Sequence, residues 1–343
     1  MKKRTIICGL GTMLLLGVGV MNAAPASPDS TWTDPELALR EDPDFAVQGE
    51  YRDAKNESAP GVQVAALGDG KFSVQILENG LPGAGWLPGM SRTLLKGKHS
   101  NNGIHFADEA GKSVATIRDG QLNLTYLNGT KHTLSRIERQ SPTLEAKPPP
   151  GAVVLFDGTS VEHWENGRMV DAHFLAAGCT SKRVFGDYTL HLEFRTPYKP
   201  GARGQERGNS GIYHSGRWET QILDSFGFGA GDNDCGGIYS VSKPRFNMCL
   251  PPLVWQTYDV EFVAAKFDAS GARTAWPRIT VRLNGVLVHE DLELSKDFTT
   301  SARISRPLKG PEGPVHLQQH KNPVVFRNIW LVPGETAPLC LGS

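Results

Sequence analysis

Three short runs alternate polar and apolar residues so that reactive side chains could gather on one surface. In the first, Arg217, Glu219 and Gln221 alternate with Trp218, Thr220 and Ile222. On an extended strand, residues two apart share a face, so a cation, a carboxylate and an amide would project together. Such a row is costly in an apolar core and suits a sheet face that holds a polar ligand. Asp224 joins it only if a bulge shifts the phase. The second run sets His316, Gln318 and His320 between Val315, Leu317 and Gln319. Two histidines four apart on a strand stand about 13 Å apart and do not chelate one metal, so an acid–base histidine is the chemistry on offer. Glu193 and Arg195 form a third polar pair. For each row the plainer alternative is an ordinary solvated strand face. The glycines between Gly227 and Gly237 lack the strand–helix context of a phosphate cradle.

The segments around these rows look like short strands separated by turns. Tyr188 to Arg195 alternates, with Leu190, Leu192 and Phe194 on one face and His191, Glu193 and Arg195 on the other. Strand-like runs recur at Val153 to Phe156, Trp218 to Leu223, Tyr258 to Val263, Ile279 to Leu283, Val286 to His289, Val315 to Gln319 and Val324 to Val332, and Asn284-Gly285 marks a type I′ turn. With no long helical periodicity, this spacing predicts a β-sandwich over 151–333. Upstream, Val62 to Leu67 and Phe72 to Leu77 flank Gly68-Asp69-Gly70, and Val114 to Arg118 and Leu122 to Leu127 flank Asp119-Gly120. With Thr133 to Ile137 they predict a small β module over 61–140. Residues 27–60 read as an irregular segment, 141–150 with Pro148-Pro149-Pro150 as a stiff extended linker, and 334–343 as a tail.

Lys2, Lys3 and Arg4 precede an apolar run from Ile6 to Val20 and the small residues Ala23, Ala24 and Ala26, the order of a secretory signal peptide over 1–26. A secreted or periplasmic protein with no membrane association after cleavage is expected. The whole chain carries 36 basic and 36 acidic residues, and losing the three leader basics leaves 33 against 36. That mature charge near −3, with no basic block, gives no footprint for nucleic acid. Beyond Cys8 remain Cys179, Cys235, Cys249 and Cys340. An even number in an exported chain suggests disulfides, with Cys235–Cys249 preferred and Cys179–Cys340 left as the second pair. No CxxC spacing points to structural zinc, and no metal or cofactor is expected.

Several ordered motifs together resemble the 3-keto-disaccharide hydrolase domain family over nearly all of residues 150–333. They are Leu155-Phe156-Asp157-Gly158-Thr159 with Trp164, Gly208-Asn209-Ser210-Gly211-Ile212-Tyr213, Glu219-Thr220-Gln221-Ile222-Leu223-Asp224, Cys235-Gly236-Gly237-Ile238-Tyr239, Asn247-Met248-Cys249-Leu250-Pro251-Pro252, and Leu317-Gln318 through Phe326-Arg327-Asn328-Ile329-Trp330. The resemblance implies a concanavalin-type jelly roll acting on oligosaccharides or glycosides oxidised at C3. A ketone there acidifies the C2 proton, so a base can drive departure of the C1 substituent, and water then adds back. For that chemistry Glu219 is assigned as base with His320 as runner-up, Arg217 as enolate stabiliser, and Asp224 or His320 as leaving-group donor. Gln221, Asn209, Tyr213, Glu193, Arg195, Gln318 and His316 are assigned to the substrate. Direct hydrolysis of the same bond by Glu219 and Asp224 as a carboxyl pair is the other route, and two further alternatives stand beside these: a non-catalytic lectin-like module, and an endo-β-glucanase. The Glu219-x-Gln221-x-x-Asp224 spacing is similar to the Glu-x-Asp-x-x-Glu strand of laminarinase-type glucanases, from which Gln221 departs.

Overall fold

The computed structural model describes residues 29–100, 103–108, 113–125 and 129–334; the expected signal peptide and Cys340 lie outside them. The N-terminal strands are β1 (Gly49–Arg52), β2 (Gly61–Ala66), β3 (Lys71–Leu77), β4 (Arg92–Ser100), β5 (Gly103–Ala107), β6 (Ser113–Arg118), β7 (Gln121–Thr125) and β8 (Lys131–Ile137). Each pairs antiparallel with its sequence neighbours, and β1 pairs with β8, so the module is a closed eight-stranded barrel. Val64, Phe72, Val74, Phe106, Ile117 and Leu134 fill its interior. Gly97 makes room for this filling, since a Cβ there would sit 2.2 Å from the Phe106 ring. At the Asp69-Gly70 and Asp119-Gly120 turns both residues have positive φ, as a type I′ hairpin requires.

Residues 27–60, expected to be irregular, instead hold β1 and two short helices, α1 (Pro35–Glu41) and α2 (Pro43–Val47). Asp34 caps α1 through a 2.7 Å bond from the Leu37 N–H, and Asp42 caps α2 through the Asp44 N–H. Proline directly after an acidic cap is a favoured helix start, because its missing N–H needs no partner there.

The second unit is a sandwich of two sheets. Its strands are β9 (Val153–Phe156), β10 (Trp164–Glu165), β11 (Met169–Val170), β12 (Phe174–Ala176), β13 (Cys179–Phe185), β14 (Tyr188–Arg195), β15 (Ser210–His214), β16 (Trp218–Ile222), β17 (Gln256–Val263), β18 (Arg278–Leu283), β19 (Val286–Glu293), β20 (Gly313–Leu317) and β21 (Val325–Pro333). One sheet runs β11-β12-β21-β14-β17-β18-β19, with β9 also on β21; the other runs β10-β13-β20-β15-β16. Between them Leu190, Leu192, Phe194, Ile212, Trp218 and Leu317 share one apolar core. The chain is therefore all-β, a jelly-roll-like sandwich preceded by a small β module.

The proline-containing segment after β8 is packed down and does not act as a free spacer. Ser141 and Thr143 are buried, and the Thr143 hydroxyl donates to Asp259 at 2.6 Å. The Ala146 carbonyl accepts from Asn328 and from the Trp330 indole. Under this strap, on the outer face of the larger sheet, His191 contacts Asp259 at 2.6 Å, and Glu193 accepts from Arg327 at 2.6 Å, from Asn328, and from the Glu145 N–H. Burial disfavours the Glu193 charge, but the bonds from His191, Asn328, Glu145 and Arg327 outweigh it and lower its pKa to about 2. The stability this contributes is complete above the ordinary carboxyl pKa and lost as pH falls through the folded value. The strap should loosen between about pH 4.5 and 2, by roughly 2–3 kcal/mol. Amide exchange at residues 143–146 in that window checks this, and Glu193→Gln should loosen the strap already at neutral pH.

Among the described residues, which do not include Cys340, no disulfide is formed, and the expected Cys235–Cys249 pair is not made. Cys179, Cys235 and Cys249 are buried free thiols. The Cys235 sulfur lies 3.5 Å from the Tyr258 hydroxyl, and Cys249 donates to the Leu223 and Leu250 carbonyls. Each behaves as a small core side chain, and burial pushes the Cys179 thiol up to about 12.

Candidate functional site

The five-stranded sheet has two unlike faces. Inward point Ile212, Trp218, Ile222, Val315 and Leu317, all in the core. His214 also lies within, fully buried, bonded to Tyr188 and Thr220, and burial drops it to about 3. The outer face carries Asn209, Gly211 and Tyr213 in and just before β15, Glu219 and Gln221 in β16, His316 and Gln318 in and just after β20, and Thr180 in β13. Cross-strand register sets Tyr213 opposite Glu219 and His316, and Gly211 opposite Gln221.

Glu219 sits at the centre of this face. It is 2% exposed, and its Oε2 accepts from the Tyr213 hydroxyl at 2.7 Å. No cation pairs with it among the described residues. Burial therefore dominates and raises its pKa to about 8, with the Tyr213 bond working the other way. Gly211 is the reason it fits, because a Cβ there would stand 2.1 Å from Glu219 Oε1. The Tyr213 hydroxyl also receives a bond from Gln318 Nε2 at 3.1 Å and lies 3.0 Å from the Thr300 carbonyl. His316 packs against the Tyr213 ring, and its Nδ1 is 2.9 Å from the Thr180 hydroxyl. Burial and the nearby Arg303 charge lower His316 to about 4, leaving it neutral near pH 7.

A cluster of side-chain amides flanks the carboxyl. Gln205 Oε1 accepts from Asn209 Nδ2 at 2.9 Å and from Gln221 Nε2 at 3.0 Å. The acceptor oxygens of Asn209, Gln221 and Gln318 are buried without a partner. An unsatisfied buried acceptor costs about 1–3 kcal/mol, so three around one carboxyl indicate places where ligand hydroxyls would donate. Gln205, on the turn Gly204–Glu206, joins the site from outside the alternating strands, where period-two patterning carries no signal for it.

Other expected site residues are placed elsewhere. Arg217 precedes β16 at the end of a tight turn, and its guanidinium donates to the carbonyls of Arg306, Asp297 and Pro307. It staples the 297–307 segment and does not stand beside Glu219. Asp224 is fully buried in an ion pair with Arg207 at 2.7 Å. His320 is exposed beyond the end of β20, where its carbonyl accepts from Asn322. Glu193 and Arg195 belong to the opposite sheet: Glu193 lies under the strap, and Arg195 stacks on Phe174 and Trp255. Among the described residues no cluster of three His, Cys, Asp or Glu could hold a metal ion.

On this jelly-roll-like sandwich, one sheet face thus offers a buried carboxyl and several free amide acceptors to a ligand rich in hydroxyl groups. The chain belongs to the family of 3-keto-α-glucoside-1,2-lyase-like domains, whose model matches residues 151–332. It is thus a carbohydrate-active, glycosyl-hydrolase-like protein. Among solved structures, one from Parabacteroides distasonis, provisionally named a glycosyl hydrolase, is 30% identical, covering 54% of this chain and 85% of its own, with a TM-score of 0.47. Two more from that organism, provisionally named in the same way, are 20% and 15% identical. They cover 52% and 58% of this chain and 98% and 99% of their own, with TM-scores of 0.38 and 0.39. No curated protein matches the chain.

Proposed function

We propose that the protein is an exported enzyme that cleaves the glycosidic bond of 3-keto sugars by elimination and rehydration, with Glu219 as the base. The observation carrying this reading is the buried carboxyl of Glu219, held by Tyr213 alone and raised to about 8. A base with that pKa matches the weak acidity of a carbon proton beside a ketone far better than an ordinary carboxylate does. Glu219 takes the C2 proton, the electrons move into the C1–C2 bond as the C1–oxygen bond breaks, and solvent protonates the departing oxygen. Water then supplies a hydroxyl to C1 while Glu219 returns a proton to C2. The Gln318 amide, beside Tyr213, is a neutral N–H donor for the enolate oxygen. Asn209 and Gln221 would hold sugar hydroxyls. Direct hydrolysis by two carboxyls needs them about 5–9.5 Å apart, and Asp224 is committed to Arg207. Export is inferred from the basic residues, apolar run and small residues of the N-terminus.

Incubation with a 3-keto disaccharide, its unoxidised parent and a β-glucan tests the activity. Release from the keto sugar alone is expected, and in D2O deuterium should appear at C2 of the product. Release without C2 deuterium would mean direct hydrolysis, cleavage of the glucan an endoglucanase, and binding without release a lectin-like module. The kcat/KM should rise with pH through about 8 as Glu219 ionises. Because the Tyr213 hydroxyl favours the charged form, Tyr213→Phe should move this limb to higher pH, which a pH–rate profile reads directly.

A further inference from the structure

One rung of the smaller sheet crosses all its strands on the outer face. Glu219 on β16 is opposite Tyr213 on β15, Tyr213 opposite His316 on β20, His316 opposite Thr180 on β13, and Thr180 opposite Glu165 on β10. Strands lie about 4.8 Å apart, so Thr180 is roughly 14 Å from Glu219 along this line. Thr180 and Glu165 line a cavity of about 500 Å³ whose other walls include Lys182, Arg303, Ser305 and Arg306. That volume lies in the range of small-molecule sites.

The charge of this cavity is one-sided. Lys182, Arg303 and Arg306 stand against Glu165 alone, all four are exposed, and none of the three cations forms an ion pair among the described residues. Cations left unpaired around a concavity, with serine hydroxyls between them, make a site for an oxyanion. Thr180, His316 and Tyr213 lie on the rung between the cavity and Glu219, a span about as long as one sugar ring and its aglycone.

We propose that this cavity binds an anionic group (carboxylate, sulfate or phosphate) on the aglycone of a substrate whose keto sugar lies at Glu219. The inference rests on the proposed function, and it narrows the substrate class to glycosides with an acidic leaving group. The test uses 3-keto glucosides carrying a neutral 4-(hydroxymethyl)phenyl, a 4-carboxyphenyl or a 4-sulfophenyl aglycone. Binding is measured calorimetrically with the full-length Glu219→Gln protein, and turnover with the unmodified protein. At low salt the charged probes should bind at least fivefold more tightly than the neutral one, and the preference should shrink as salt rises. The carboxylate and sulfate arms distinguish which oxyanion is favoured. In a Lys182→Glu/Arg306→Glu variant the preference should disappear or invert while the neutral probe is bound and turned over as before. Lys182→Ala alone should give a partial loss, and circular dichroism checks the fold of both. Equal binding of charged and neutral probes, no binding of any probe, or a preference that survives charge reversal overturns the proposal. A charge preference in binding without turnover of any probe would sink the enzymatic reading and leave the anion site standing.

Discussion

Glu219→Gln should reduce kcat/KM on a 3-keto glucoside by about 10²–10⁴-fold, the usual worth of a positioned general base. It should also make the folded protein more stable in alkaline solution. Both effects come from one cause. The glutamine is isosteric, still fits over Gly211, and still accepts from the Tyr213 hydroxyl through its amide oxygen, so the fold has no reason to change. What it cannot do is take a proton. In the native protein the Glu219 pKa is raised to about 8. An acid whose folded pKa exceeds its unfolded one stabilises below the unfolded pKa, and that contribution is lost as pH rises to the folded value. At pH 8–9 the carboxylate is thus a buried, uncompensated charge that costs the fold on the order of several kcal/mol, and glutamine removes the cost. Urea titrations at pH 5 and pH 8.5 should show the variant ahead only at the higher pH. Unchanged turnover would take the base role from Glu219, and unchanged alkaline stability would mean that its carboxyl is not desolvated.

This trade between stability and chemistry was partly visible in the chain itself. The polar phase of Glu219 and Gln221 against Trp218, Thr220 and Ile222 is a period-two signal, and β16 obeys it because the inner residues had an apolar core to join. The same logic paired Leu190, Leu192 and Phe194 correctly. It misplaced Arg217, since alternation does not reveal where a strand begins: Ser215 and Gly216 adopt positive φ, the chain turns, and Arg217 is spent on carbonyls of a distant segment. His320 failed at the other end, because β20 stops at Leu317. Residues 35–47 form helices inside a stretch whose composition reads as irregular, because proline directly after Asp34 and Asp42 starts a helix and carries no periodic signal. β1, β4 and β5 were missed as well, and barrel closure is a long-range pairing that no local pattern encodes. The cysteine count pointed to disulfides, yet residue number says nothing about what each thiol packs against.

Arg207→Ala should destabilise the protein by about 3–5 kcal/mol, the cost of leaving one partner of a buried ion pair behind. Sequence spacing could not have paired Arg207 with Asp224, which share no strand, yet the two meet at 2.7 Å, both buried. Burial still raises the Asp224 pKa although the Arg207 charge lowers it, so removing the guanidinium leaves the carboxyl with burial largely unopposed. The arginine does more than neutralise. Its Nη1 donates to Ala66 in the barrel at 3.1 Å and to the Pro200 carbonyl at 3.3 Å, and the guanidinium lies over Phe228. Arg203 repeats the link by donating to Leu67 at 2.7 Å. The segment tied down in this way carries Gln205, the acceptor that orients Asn209 and Gln221 beside Glu219. The barrel therefore supports the amide side of the site through its β2 end. An Arg207→Ala/Asp224→Asn double variant should recover part of the stability, because the stranded charge is gone, but not the substrate affinity, because the tether to Ala66 is still missing. A double-mutant cycle by urea unfolding, read together with KM on the keto sugar, separates these two roles. If the double variant regains both, the arginine only balances a charge, and the barrel does not help to place the amides.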